Sequence, residues 1–268
     1  IIALPKKRRA VYASIGGLNA QIMKIDSLLQ NAEVWKLLGQ DVLKISSNSL
    51  RDQLSVVGNL STGIVTYNLT TESVLWSDDA FSVSQIQRYT DLLCFNNSVF
   101  TSLYDRELRS YSYAGGLTMN ELTGNYRPET LFANENYLIV EMFLVGAGAH
   151  FIFVYHSVTR ALLWQTEVPL DIKAICPLEG DELLIFGNDG NQARVLHYDI
   201  GNNGYWEPRL LPEGLVLDAV KMDGPVFAIA HENGLYSYTY APNYLNLSRP
   251  SILFQDIVYD VDNGTILG

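Results

Sequence analysis

Hydrophobic and polar residues alternate along most of this chain in short runs, rich in Val, Ile, Leu, Tyr and Phe, that close on Gly, Asn or Asp. Period-two runs bounded by turn residues predict short β-strands. The clearest stretch is 151–167, FIFVYHSVTRALLWQTE, which reads as a strand, a four-residue turn and a second strand carrying Trp164. VTYNLTTESVLWSDD, with Tyr67 and Trp76, repeats it. So do VLHYDIGNNGYWEP, with Tyr198 and Trp206, and IMKIDSLLQNAEVWKLL, with Ile25 and Trp35. Two degenerate copies, SYSYAGGLTMNEL around Tyr113 and LYSYTYAPNYLNL around Tyr238, complete the set. Helix signals are nearly absent. The best of them, 20–38, alternates and aligns with the other copies, so it too reads as strands.

The hairpin marks Ile25, Tyr67, Tyr113, Tyr155, Tyr198 and Tyr238 are separated by 42, 46, 42, 43 and 40 residues. All four tryptophans fall in the copies. A repeat of roughly 40–45 residues with several strands per unit is the signature of a β-propeller blade. Each unit reads as four strands. The fifth, for example, has them at 171–176, 182–187, 193–200 and 205–210. From Tyr238 through the termini to Ile25 there remain 55 residues, room for one blade and not two. The expected fold is therefore all-β, a six-bladed β-propeller of four-stranded antiparallel blades over a single domain, 1–268. The first unit lacks a first strand, and 256–261 has no blade after it. The expectation is that 256–261 closes the ring against the N-terminal strands. Seven blades is the alternative, should a short unit hide within 91–136.

Composition adds bounds. The chain has 268 residues, 48% hydrophobic and 18% charged, enough to bury a large core. No apolar run reaches the ~18 residues of a membrane helix. A net charge of −11 disfavours nucleic acid and anionic membranes, which call for a basic patch, and favours cations or basic proteins. Cys94 and Cys176 lie in different repeats and are read as free thiols. Lys6, Lys7, Arg8 and Arg9 read as a solvated tail, and five Asn-x-Ser/Thr sequons are a weak sign of glycosylation.

Some repeats resemble known ones. The LLWQTEVP ending is similar to quinoprotein-type (PQQ-like) repeats. VYASIGGLNAQIMKID, with Gly16 and Gly17, and LLIFGNDGNQARVLHYDIGNNGYWEPRLLP resemble kelch repeats. The kelch glycine pair shrinks to one residue at Gly58 and Gly187 and is missing elsewhere. The Gly-His and Trp-Asp marks of WD repeats are absent. The resemblance implies an architecture and no catalytic residue. Quinoprotein-like propellers are often extracytoplasmic, so a secreted or periplasmic location is expected, with a cytoplasmic one as the alternative.

No G-x-S-x-G, H-E-x-x-H or phosphate loop is present. His150, His156, His197 and His231 have no metal-ligand spacing and read as structural. One pattern stands out. The first strand of each unit opens on an acid or amide: Asp41, Gln85, Glu129, Asp171, Asp218 and Asp256. First strands line a propeller's channel. The expectation is a ring at one mouth whose acids cap backbone amides, pair with Lys44, Arg88 or Lys221, or hold Ca²⁺. A second candidate is 98–106, SVFTSLYDR, read as a long loop offering Phe100, Tyr104, Asp105 and Arg106 for contact. The preferred function is a monomeric, non-catalytic propeller that recognises a protein or peptide on its loop face. The alternative is a metal-dependent, lactonase-like hydrolase at the channel mouth. No cofactor is expected beyond the Ca²⁺ just considered.

Overall fold

The computed structural model describes residues 2–3, 10–15, 20–26, 31–38, 42–48, 51–58, 63–78, 89–178, 180–206, 208–222, 224–240, 246–248, 258–260 and 265–267. These residues are strand, turn or irregular, with no helix among them. None of them forms a helix long and apolar enough to cross a membrane. The chain divides into two compact units, 1–147 with 155–161, and 148–154 with 162–268.

The first unit holds three complete antiparallel sheets in sequence order. They comprise β1 (Ile2–Ala3), β2 (Ala10–Ile15), β3 (Gln21–Asp26) and β4 (Ala32–Leu37); β5 (Val42–Asn48), β6 (Gln53–Gly58), β7 (Ile64–Asn68) and β8 (Val74–Asp78); and β9 (Tyr89–Phe95), β10 (Ser98–Leu103), β11 (Glu107–Ser112) and β12 (Leu117–Leu122). The hairpin of β13 (Tyr126–Ala133) and β14 (Tyr137–Leu144) follows. The second unit takes most of β15 (Ala149–His156), β16 (Leu162–Val168), and two further sheets. One has β17 (Asp171–Pro177), β18 (Glu182–Asp189), β19 (Gln192–Asp199) and an outer strand in two pieces, β20 (Gly204–Tyr205) and β21 (Arg209–Glu213). The other has β22 (Val216–Lys221), β23 (Val226–His231), β24 (Gly234–Thr239) and β25 (Asn246–Ser248). A separate pair, β26 (Val258–Asp260) and β27 (Thr265–Leu267), ends the chain.

In the second and third sheets the middle strands are largely buried and the last is exposed. β6 is buried throughout, whereas β8 and β12 are exposed or half-buried at every position. Middle strands pack against neighbours on both faces, so they read as continuous apolar runs.

Two expectations about order are corrected. The first sheet supplies its own edge strand, because Ile2 and Ala3 of β1 pair with Ala13 and Tyr12 of β2. Among the described residues β26 pairs with β27, not with the N-terminal strands. A two-residue strand is too short to show alternation, so the sequence conceals it. In the third sheet, 98–103 is the second strand and not a loop. No short extra unit hides here, since 89–122 is one sheet and β13 begins the next.

The first strands share one irregularity. Register skips Leu43 in β5, Thr90 in β9, Lys173 in β17 and Leu217 in β22. In β13 both Glu129 and Thr130 lie between the paired Pro128 and Leu131. Such bulges bend and twist a strand near its start. Gly58 pairs with Val42 and Gly187 with Ile172, each just before the skip. A Cβ on Gly187 would lie 2.5 Å from the Asp171 carbonyl oxygen, so a side chain is excluded. The lone kelch-like glycines thus mark the bulge.

Polar side chains tie neighbouring sheets together. Asp91, 5% exposed, accepts Leu92 N–H at 2.8 Å and Leu131 N–H at 2.7 Å, and meets Lys44 Nζ at 3.0 Å. One buried carboxylate therefore links β5, β9 and β13. In the second unit Asn188 donates to the Val216 carbonyl at 3.0 Å and accepts Val216 N–H at 2.9 Å, joining β18 to β22.

Aromatic pairs fill the spaces between sheets. Trp35 meets Tyr67 edge-on at 5.4 Å, and Trp76 stacks on Tyr111 at 5.4 Å. In each pair a fourth-strand indole covers a third-strand phenol of the next sheet. Tyr111, 1% exposed, is the repeat mark of the third sheet, while Tyr113 is 39% exposed in a turn. Equivalent places in the repeat predict burial between blades for all four tryptophans. Trp35 is buried, Trp76 and Trp164 are half-buried, and Trp206 departs from the pattern at 51% exposed.

Candidate binding site

The described acids of the expected ring, Glu129, Asp171 and Asp218, do not share a register. Counted from the first residue after the skip, Asp218 lies on it, as do Lys44 and Asp91. Glu129 lies within the skip, and Asp171 is three residues before Ala174. Equal spacing along the chain therefore hides different phases on the strand. Asp41, Gln85 and Asp256 lie outside the described residues. Each described acid has a local partner. Glu129 pairs with Arg127, Asp171 with Lys173 at 2.8 Å, and Asp218 caps Ala219 N–H at 2.8 Å. Asp91, which the spacing argument passed over, is the buried capping acid.

The expected contact loop also dissolves. Phe100 is 1% exposed in β10, with the Arg160 guanidinium 4.5 Å from its ring. Tyr104, Asp105 and Arg106 form a tight turn. Tyr104 is capped by Arg127 at 4.5 Å, and Arg106 takes φ 67 and donates to the Gly124 carbonyl at 3.3 Å. Only Tyr104 and Asp105 are exposed.

A pocket opens in the second unit instead, between the sheet of β17–β21 and that of β22–β25. It encloses about 310 Å³, lined by Glu182, Leu184, Val195, His197, Trp206, Arg209, Tyr238 and Tyr240. Its origin lies in the outer strand. β20 pairs with Tyr198 and Asp199, β21 with Arg194 and Val195, and 206–208 falls between them. Pro208 has no N–H for the ladder, and proline stops a strand for that reason. The expected strand 205–210 is thus interrupted after Trp206, whose N–H still donates to the His197 carbonyl at 3.0 Å.

Strand alternation places Glu182, Leu184, Val195 and His197 on that face. Leu184 and Val195, 1% and 2% exposed, form an apolar floor. His197 is held on two edges and one face. The Tyr240 hydroxyl lies 2.8 Å from Nδ1, and Glu182 Oε2 lies 3.0 Å from Nε2. Trp206 stacks on the imidazole at 4.0 Å and 17°. Tyr240 meets the same ring edge-on at 5.2 Å. Nδ1 and the Tyr240 hydroxyl share a hydrogen bond, and Nε2 is buried against the Glu182 carboxylate without one. Burial, and next the Glu182 charge, raise the Tyr240 pKa. Burial also raises that of Tyr238, and the adjacent Arg209 opposes the rise. Neither phenol ionises near neutral pH. The site offers flat rings, an apolar floor and fixed hydrogen-bonding edges, which suit recognition of a side chain. The signal legible in the chain was the Trp206–Pro208 spacing, a strand-breaking proline two residues after the repeat tryptophan.

No protein-family description matches the chain, and no curated protein sequence matches it. Solved structures do. BamB from Moraxella catarrhalis matches with TM-score 0.66 and 12% identity over 99% of this chain and 83% of that one. U3-55K matches with TM-score 0.74 and 11% identity over 99% and 86%. The WD40 repeats of RRP9 match with TM-score 0.76 and 10% identity over 99% and 84%. The chain therefore has the β-propeller fold, with four-stranded antiparallel blades and about six of them. It does so without the Gly-His and Trp-Asp marks of WD repeats.

Proposed function

We propose that this propeller is a non-catalytic interaction module that recognises a protein or peptide through the pocket at Trp206. The observation that carries the reading is a 310 Å³ pocket whose lining includes the half-exposed indole of Trp206. Tryptophan and tyrosine on a rigid sheet are what binding surfaces use as anchors. The likeness to the WD40 repeats of RRP9 supports the reading at the level of fold. Selection of displayed peptides on the wild-type protein, with counter-selection on Trp206→Ala, tests it. Enriched peptides should bind the wild type and lose most of their affinity for the variant. Peptides that bind both equally would move the site elsewhere, and no enrichment would remove the reading.

A further inference from the structure

The sheet that floors the pocket carries two carboxylates on one face. Glu182 and Asp199 are direct cross-strand partners on β18 and β19, so both carboxylates leave the sheet on the same face. Like charges placed so are unfavourable unless something offsets them. Asp199 is held ionised, its pKa lowered first by the Asn202 amide, which donates at 2.6 Å, with Asn202 N–H adding a bond at 3.0 Å. Glu182, 43% exposed, faces an imidazole whose Nδ1 already meets Tyr240. Glu182 lines the pocket together with Trp206, whose indole keeps one face against His197 and is 51% exposed, and Asp199 lies opposite Glu182 on the same face of the sheet.

Arg209 is the opposing charge in the lining. It pairs with Val195 in register, four residues along β19 from Asp199, about 13 Å of strand. Its guanidinium acts on the phenols of Tyr238 and Tyr240, and the Glu182 charge acts on Tyr240 from the acid end.

We infer, building on the peptide-binding reading above, that the pocket takes a cationic side chain, lysine or arginine, of a partner protein. The aliphatic stem lies over Leu184 and Val195 along the indole. The charged head sits at the open face of Trp206 within reach of Glu182 and Asp199. Cations are attracted to the faces of aromatic rings, indole most of all, and more so when partly desolvated. The chain's net charge of −11 steers a basic partner toward it.

The test uses the full chain, labelled with ¹⁵N, and short capped peptides with one variable residue between serines. The Trp206 indole N–H, assigned by its loss in Trp206→Phe, is the reporter. The Trp76 indole, which donates to the Tyr113 carbonyl at 2.9 Å in the other unit, is the internal reference. Arginine and lysine peptides should shift the Trp206 signal at millimolar concentration and leave Trp76 in place. Citrulline and norleucine peptides should bind at least ~5-fold more weakly, and Glu182→Gln should weaken the arginine peptide by a similar factor. Equal binding of citrulline and arginine peptides would overturn the cation while leaving peptide recognition intact. Binding of a glutamate peptide in their place would assign the site to Arg209 and overturn it as well. If no peptide shifts Trp206 but display still enriches Trp206-dependent sequences, the cation inference alone falls. If neither experiment responds, both readings fall.

Discussion

The Asp91 carboxylate accepts the backbone N–H of Leu131 at 2.7 Å, across a separation of 40 residues. The same side chain holds Leu92 N–H and the Lys44 ammonium. Asp91→Ala would leave two buried amides without an acceptor and an ammonium without its counter-charge. Urea unfolding should register a loss of about 3–5 kcal/mol. Asp91→Asn keeps one acceptor and should cost about 1–3 kcal/mol. Lys44→Met should cost less than either, because Lys44 is 42% exposed. An alanine variant within ~1 kcal/mol of wild type would show that the carboxylate does not join these strands.

Gly115 and Trp76 share one space. Gly115 has φ +91, and a Cβ there would lie 2.7 Å from Trp76 Cγ. Gly115→Ala should therefore destabilise by roughly 2–4 kcal/mol, combining backbone strain with overpacking. Gly124→Ala, at φ +65 with open space around it, should cost only about 1 kcal/mol. In a double-mutant cycle Trp76→Leu should relieve part of the Gly115→Ala cost. Strict additivity of the two changes would contradict the shared space.

Trp35 and Trp206 occupy matching places in the sequence repeat and opposite environments. Trp35→Ala should cost about 3–5 kcal/mol, since Trp35 is 9% exposed against Tyr67. Trp206→Ala should cost no more than ~1.5 kcal/mol, being half-exposed. Thermal melts of the two variants side by side check this. Equal losses would mean that the outer strand is closed over the pocket.

Stability should fall at alkaline pH. Burial raises the pKa of Cys94 and Cys176 and of Tyr89, Tyr111 and Tyr155, with the Glu121 charge adding to the rise at Tyr155. The folded state therefore retains protons that the unfolded chain releases. The stabilisation is complete below the unfolded pKa values, ~8.5 for thiols and ~10 for phenols, and is lost as pH rises through them toward the folded values. Melting temperature should hold level up to about pH 8 and then decline. Both thiols are unbridged and should resist a thiol reagent until the chain unfolds. A melting temperature that climbs between pH 8 and 10 would contradict this sign.

The fold was legible because its signal repeats. Tyr67, Tyr155, Tyr198 and Tyr238 were placed by spacing alone, and each is buried on a third strand. What escaped was local phase. The skips in the first strands shift side chains by one position, so acids evenly spaced along the chain reach the sheet in different registers. Asp91 was missed because 91–96 reads as a second strand, whereas it belongs to the first strand of its sheet, just after the skipped Thr90. Phe100 was misplaced because β10 follows β9 through a turn at Asn96 and Asn97, and two strands set so close read as a strand and a loop. The pocket was hidden because a broken strand and a whole one share the same apolar pattern. Only Pro208 tells them apart.

The skipped residue also separates two kinds of mutation that are usually treated as similar. Lys173 is exposed, and its side chain pairs with its neighbour Asp171. Alanine there should be tolerated, at a cost within about 1 kcal/mol. Deleting the residue is different, because it removes the bulge. Ile172 and Ala174 would then follow one another opposite Gly187 and Phe186, with register kept and the local bend and extra twist lost. Thermal melts of the two variants should split accordingly, the alanine protein near wild type and the deletion protein less stable, and equal melting temperatures would show that the bulge is dispensable. At this point in the strand the chain requires a residue and is indifferent to which one.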